Sequence, residues 1–230
     1  MSSCTDNESE DNAALDWLLT DESVSSESNN EKAPKQNDSS LNLSITPKNS
    51  AEKLLDVSVT IELYDSYDKV ISIGSGVFVR NNYVATNFHV IDNDYQYIKI
   101  KRNSDNNEFE GEIYKLDTHH DVAILKTTFF CDKPVQISKS QPTIGEDILV
   151  AGSPIGLEGT ISKGIVSAIR KFEPYNYELI QISAPISKGS SGGPVVNEKG
   201  ELIGITVSYI QGGQNLNFAV PVKYIDYLFD

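Results

Sequence analysis

Residues Ile186-Ser187-Lys188-Gly189-Ser190-Ser191-Gly192-Gly193-Pro194 set two serines between glycines, with a proline closing the run. Three glycines and a proline within the six residues 189–194 favour a tight turn whose backbone N–H groups converge on one spot. A hydroxyl held beside converging N–H groups is how an acyl-transfer enzyme presents a nucleophile and stabilises the oxyanion it makes. A lone Ser-Gly-Gly is more often a surface loop. The chemistry therefore requires a base and an orienting carboxylate elsewhere in the chain.

A serine hydroxyl is a poor nucleophile without a base, and histidine is the usual one because it titrates near neutral pH. The chain has three histidines, His89, His119 and His120. His89 stands out in Tyr83-Val84-Ala85-Thr86-Asn87-Phe88-His89-Val90-Ile91, directly after a strand-like run. By itself, a histidine beside Val-Ile is more often a satisfied core residue. Asp121 heads the apolar run Val122-Ala123-Ile124-Leu125, where a carboxylate becomes partly buried and needs a partner. By itself it reads as a turn residue at a strand end. Together, the three supply nucleophile, base and the acceptor that fixes the base's tautomer. His119 and His120 read as solvent-facing loop residues.

The elements that position these residues are short strands. Val57–Tyr64 alternates apolar and polar residues with period two. Further strands are expected at Val70–Ile73, Val77–Arg80, Tyr83–Thr86, Ile98–Lys101, Phe109–Leu116 and Asp121–Lys126, with Gly74-Ser75-Gly76 as punctuation. A second series follows at Asp147–Ala151, Gly164–Ile169, Glu178–Ser183, Leu202–Ser208 and Asn217–Val220, with a turn at residues 152–156. Regular short strands without long helices predict an all-β protein of two consecutive antiparallel β-barrels, residues 51–135 and 143–230. Residues Ala51–Leu55 read as a helical lead-in, and Pro221 as the start of a short C-terminal helix with Val222, Ile225 and Leu228 on one face.

The formal charge of −14 repels phosphate backbones and argues against nucleic acid as a partner. Residues 1–50 carry ten Asp/Glu against three Lys and little apolar content, which predicts a disordered acidic tail. Within it, Ala13–Leu19, with the chain's one tryptophan at Trp17, reads as a transient helix or a short docking motif. The two cysteines, Cys4 and Cys131, make neither a disulfide framework nor a zinc spacing, and no metal or other cofactor is expected. No apolar run approaches the roughly 18 residues of a membrane span. As written the chain is expected in the cytoplasm. Met1-Ser2-Ser3-Cys4 also matches the end of a lipoprotein signal, which would make the protein lipid-anchored or exported if an apolar segment precedes it.

In six motifs and in their order, the chain resembles trypsin-like serine proteases of the chymotrypsin fold, specifically the HtrA/DegP-type protease domain. These are Gly74–Val79, Tyr83–Ile91, Asp121–Lys126, Gly152–Leu157 with Ser162–Ser167, Gly189–Pro194, and Asn217–Pro221. The resemblance runs from about residue 52 to 229 and implies Ser191 as nucleophile, His89 as general base and acid, and Asp121 as orienter. It makes Ser190 the neighbour, Asp117 a decoy, and the N–H groups of Gly189 and Ser191 the oxyanion hole. It also implies an S1 pocket built from Ala184, Pro185, Ile186, Ile205, Thr206 and Val207, with Ser208 closing the run. None is charged, so the expected substrates are flexible proteins or peptides cleaved after small or medium apolar residues.

The departures from the pattern are informative. No PDZ domain is expected after the second barrel, which removes that mode of substrate capture and weakens the trimer that the resemblance implies. Ser190 stands where zymogen-activated relatives carry Asp, and residues 203–209 lack the histidine of glutamyl-specific relatives. The competing reading is a protease-shaped binding or signalling protein whose activity is latent or directed at one partner.

Overall fold

The computed structural model describes residues 47–229, apart from residues 154–156, 158, 173–176 and 208–215. The expected tail segment around Trp17, and the middle of the 152–156 turn, lie outside the described residues.

Helix α1 (Pro47–Val57) leads into twelve strands. The first six are β1 (Ser58–Tyr64), β2 (Val70–Arg80), β3 (Tyr83–Thr86), β4 (Tyr97–Arg102), β5 (Glu108–Asp117) and β6 (Val122–Thr127), with the one-turn helix α2 (Phe88–Ile91) between β3 and β4. The last six are β7 (Asp147–Gly152), β8 (Thr160–Phe172), β9 (Tyr177–Ile182), β10 (Pro194–Asn197), β11 (Leu202–Val207) and β12 (Asn217–Pro221). Helix α3 (Lys223–Asp226) and a 3-10 turn (Tyr227–Phe229) follow. Both sets close into antiparallel barrels, in the orders β1-β2-β3-β6-β5-β4 and β10-β11-β12-β9-β8-β7. Renumbered from its own first strand, the second barrel repeats the connectivity of the first.

Alternation along the strands decides which residues fill which core. Val59, Ile61, Leu63, Phe78, Val84, Ile100, Ala123 and Leu125 fill the first barrel. Ile148, Val150, Val166, Ile180, Ile182, Val195 and Ile203 fill the second. A third cluster lies between the barrels, where Val77, Val79, Ala85, Val122 and Ile124 meet Ala151, Leu202, Ile205, Phe218 and Val220. Strand β6 is therefore buried on both faces, which is why Val122-Ala123-Ile124-Leu125 is apolar without alternation. Each Val, Ile or Leu side chain so buried contributes about 1.5–3 kcal/mol by leaving water. Leu54 and Val57 of α1, with Ile225 and Leu228 near the C-terminus, pack into the same inter-barrel cluster.

Three local expectations need correction. Gly74-Ser75-Gly76 does not interrupt a strand; it lies within the single strand β2. A Cβ on Gly74 would come within 2.4 Å of Val90, and one on Gly76 within 2.7 Å of Val84, so these glycines make room for neighbouring side chains. Pro194–Asn197 forms β10, a strand that composition does not announce, because Pro and Asn are poor strand formers. Pro221 ends β12 opposite Gly204 and does not start the helix, although Val222, Ile225 and Leu228 are buried as one face. No described helix is long and apolar enough to cross a membrane.

Candidate active site

His89 sits on α2, just past the end of β3. Val90 and Ile91 bury into the first barrel and turn His89 outward, its side chain 46% exposed. Asp121 precedes β6, which pairs with β3 in the register Thr86↔Ala123. That pairing brings the two strand ends, and the residues just beyond them, side by side. Asp121 Oδ1 accepts the backbone N–H of His89 at 2.9 Å, and Oδ2 lies 2.8 Å from His89 Nδ1. One carboxylate thus fixes both the backbone and the ring of His89. An ionised carboxylate accepts only, so Nδ1 carries the proton and Nε2 of the neutral ring is the free base. Asp121 adopts φ +56°, a left-handed conformation costing a non-glycine residue about 1–2 kcal/mol. Asn87 holds the bend by donating from Nδ2 to the Asp121 carbonyl at 3.0 Å.

The serine-bearing loop lies against the same strand ends. The Ser190 N–H donates to Ser187 O at 2.9 Å, and Gly189, third of that four-residue turn, has φ +97°. No positive φ occurs at Lys188, so the turn is type II, the form that requires glycine at this position. Turn type sets the facing of the Lys188–Gly189 peptide, and among the described residues the Gly189 N–H has no acceptor. The N–H groups of Gly192 and Gly193 are bonded to Thr206 O at 2.8 Å and Ser190 O at 3.0 Å.

Ser75 clamps the loop to the first barrel. Its N–H donates to Ser191 O at 2.7 Å and its hydroxyl to Gly189 O at 2.8 Å. The same hydroxyl accepts the Ser153 N–H at 2.9 Å, and Thr86 Oγ1 donates to Ser75 O at 2.7 Å. Thr206 clamps it to the second barrel, its hydroxyl donating to Ser190 O and its N–H to Gly193 O at 2.8 Å. A Cβ on Gly192 would lie 2.3 Å from Thr86 Oγ1, so the loop touches the strand end three residues before His89. The His89–Asp121 pair and the Ser191 turn therefore both lie by the Thr86 end of β3, where the barrels join.

Ser190 Oγ turns back toward the Ser187 N–H at 3.4 Å and lines a cavity of about 160 Å³ with Val150, Gly152, Thr160, Ser162 and Pro185. Of the six expected pocket residues, Ala184, Ile205 and Thr206 are fully buried, Ala184 in the second barrel's core and Ile205 between the barrels. Pro185 and Ile186 line the 160 Å³ cavity, and Val207 is half-buried at the end of β11. The stretch that would complete the pocket, from Ser208, lies outside the described residues. No cluster of three or more His, Cys, Asp or Glu among the described residues is placed to hold a metal.

His120 departs from expectation. It is not a solvent-facing loop residue: Nδ1 lies 2.6 Å from Asp117 Oδ2 and the ring stacks on Tyr224. Asp117, expected to be a decoy, pairs with His120. Sequence reasoning also passed over the bracing roles of Ser75, Thr86 and Thr206. The sequence offers one signal for them, a small hydroxyl residue inside an otherwise apolar or glycine-rich strand; the structure buries all three completely.

Two closed six-stranded barrels, with a His–Asp pair and a glycine-rich serine turn at their junction, define the trypsin-like architecture. The family model for the trypsin-like peptidase domain matches residues 74–205, and the chain belongs to that family. Among curated relatives, it is 35% identical over 165 residues to the magnetosome formation protease MamE of Magnetospirillum gryphiswaldense, covering 65% of this chain and 21% of that one. It is 29% identical over 226 residues to the HtrA-like serine protease of Staphylococcus aureus, covering 85% of this chain and 29% of that one. The chain thus spans less than a third of the length of either relative. Among solved structures, the serine endoprotease from Yersinia pestis superposes with a TM-score of 0.68 at 28% identity, over 80% of this chain and 65% of that one.

Proposed function

We propose that the chain is a serine endopeptidase that works through Ser191, His89 and Asp121. The observation that carries this reading is the carboxylate of Asp121 gripping both the N–H and the Nδ1 of His89, beside a Ser191 turn clamped to both barrels. His89 Nε2 takes the proton from Ser191 Oγ as the oxygen attacks the scissile carbonyl, and Asp121 stabilises the imidazolium. The N–H groups of Gly189 and Ser191 receive the oxyanion, each such donor being worth about 3 kcal/mol in the transition state. The imidazolium then protonates the leaving amine, leaving an acyl group on Ser191. Water, activated by the same nitrogen, releases the acid and restores the serine.

The substrates in this reading are flexible or unfolded protein segments, cut after small or medium apolar residues. Pro185, Ile186 and Val207 offer apolar and uncharged surface near the Ser187–Ser190 turn, which supports that choice. Digestion of a reduced, alkylated protein by the native chain, with cleavage sites read by mass spectrometry, tests both parts. Cleavage that Ser191→Ala abolishes supports the triad. Cleavage sites dominated by Arg or Lys on the acyl side would overturn the specificity.

A further inference from the structure

We propose that His120 is a positioning residue for Asp121: pinned by Asp117 and stacked on Tyr224, it fixes the turn from which Asp121 reaches His89. The inference rests on the role given above to Asp121 and extends it to a second His–Asp pair just upstream in the chain.

The turn between β5 and β6 is built around Asp117. Its Oδ1 accepts the N–H groups of both His119 and His120 at 3.0 Å, and its Oδ2 faces His120 Nδ1 at 2.6 Å. The backbone and ring of His120 are therefore held by one carboxylate, as those of His89 are held by Asp121. Burial alone would raise the Asp117 pKa, but the hydrogen bonds from His120 and His119 outweigh it and hold the carboxylate below its usual range. The charge that anchors His120 is thus kept at neutral pH.

Asp117 holds the edge of the ring, and a face of it packs on the second half of the chain. His120 stacks on Tyr224 of α3 with centroids 3.8 Å apart and planes 16° from parallel. Tyr224 is itself fixed, since its hydroxyl accepts the Glu178 N–H at 3.1 Å and Lys223 Nζ lies 5.0 Å over its ring. Lys223 also pairs with Glu178 at 3.0 Å. Tyr177 of β9 closes the site, 6.0 Å from the His120 ring, and His119 meets that ring edge-on at 4.6 Å. Burial first, then the negative charge of Asp121, raises the Tyr177 pKa. The cluster links the turn of the first barrel to β9 and α3 of the second.

Position in the chain makes this consequential. Asp121 directly follows His120 and holds φ +56°, a strained conformation that persists only where neighbours over-determine it. Asn87 restrains its carbonyl side. His120 restrains its amino side, held through its backbone N–H and ring nitrogen by Asp117 and through its ring face by Tyr224. Freeing His120 lets the peptide relax and carries the carboxylate away from His89. A misplacement of about 1 Å at a catalytic group costs on the order of a hundredfold.

Two half-variants separate the contacts. His120→Phe keeps a ring on Tyr224 and the backbone N–H bond to Asp117 Oδ1, but loses the ring nitrogen that faces Asp117 Oδ2. His120→Asn keeps a donor near the position of Nδ1 but loses the ring. With turnover normalised to sites labelled by a fluorophosphonate, His120→Phe is expected to lower kcat about tenfold with KM within twofold, and His120→Asn, which keeps the bond but loses the stack, to lower it by about threefold. In an Asp121→Asn background the His120→Phe change is expected to lose its effect, because it acts through that carboxylate. An unchanged kcat in His120→Phe would overturn the proposal, and so would an undiminished effect in the Asp121→Asn background. Native protein that shows no Ser191-dependent labelling would instead sink the triad reading, which keeps the two failures apart.

Discussion

Gly192 and Gly200 both hold a left-handed backbone, with φ +85° and +78°, yet their surroundings differ completely. A Cβ on Gly200 meets nothing within 4 Å. Gly200→Ala therefore costs only backbone strain, about 1 kcal/mol. A Cβ on Gly192 would lie 2.2 Å from Ser75 O and 2.3 Å from Thr86 Oγ1, whereas real contacts essentially never fall below 3.0 Å. Gly192→Ala adds the cost of overpacking, about 1–3 kcal/mol, for a total near 3 kcal/mol. In a domain of this size that lowers Tm by roughly 6–12 °C, against roughly 2–4 °C for Gly200→Ala. Relief requires Gly192 to move about 0.8 Å from Ser75 O, which displaces Ser191 beside it. A shift of that size costs on the order of a hundredfold in kcat. Thermal melts and kcat for the two variants, measured side by side, read both effects. Equal melting temperatures, or full turnover in Gly192→Ala, would refute the claim that the serine turn is wedged against β2 and β3.

Asp121→Asn leaves the shape of the site intact but presents the wrong group to His89 Nδ1, so kcat at neutral pH is expected to fall about 10⁴-fold with KM little changed. Tyr64 donates to Glu62 at 2.6 Å, and that bond, with burial and the Glu62 charge, pushes its hydroxyl up to about 12. A folded pKa above the unfolded value near 10 stabilises below pH 10 and loses that contribution as pH rises toward 12. The urea midpoint is therefore expected to fall across that window, and to fall less steeply in Tyr64→Phe; parallel slopes would contradict the assignment. Cys131 is buried beneath the first barrel and burial pushes its thiol up, so a Cys4→Ser protein should react slowly with a thiol reagent at pH 8 and quickly in urea. Fast reaction of the folded protein would contradict that burial.

The two barrels, and the placing of His89 beside Asp121, were readable because their causes are local. Val122–Leu125 is apolar because both faces of β6 are covered, and a carboxylate at its head has few other uses. His89 follows a strand and precedes the two residues that anchor its helical turn. Features set by distant partners were not readable. Gly74 and Gly76 look like punctuation until Val90 and Val84 are seen occupying the space beside them. Pro194 and Pro221 look like a turn closure and a helix start, yet both pair within the second barrel, with Ile205 and Gly204. His120 looks like a loop residue because Tyr224, which stacks on it, arrives more than a hundred residues later.

The most direct test of the account is labelling of the full chain with a fluorophosphonate, followed by mass spectrometry of the modified peptide. The account predicts a single adduct on Ser191, lost in Ser191→Ala and in His89→Ala and retained in Ser190→Ala. An adduct on Ser190, or labelling that survives Ser191→Ala, would contradict it.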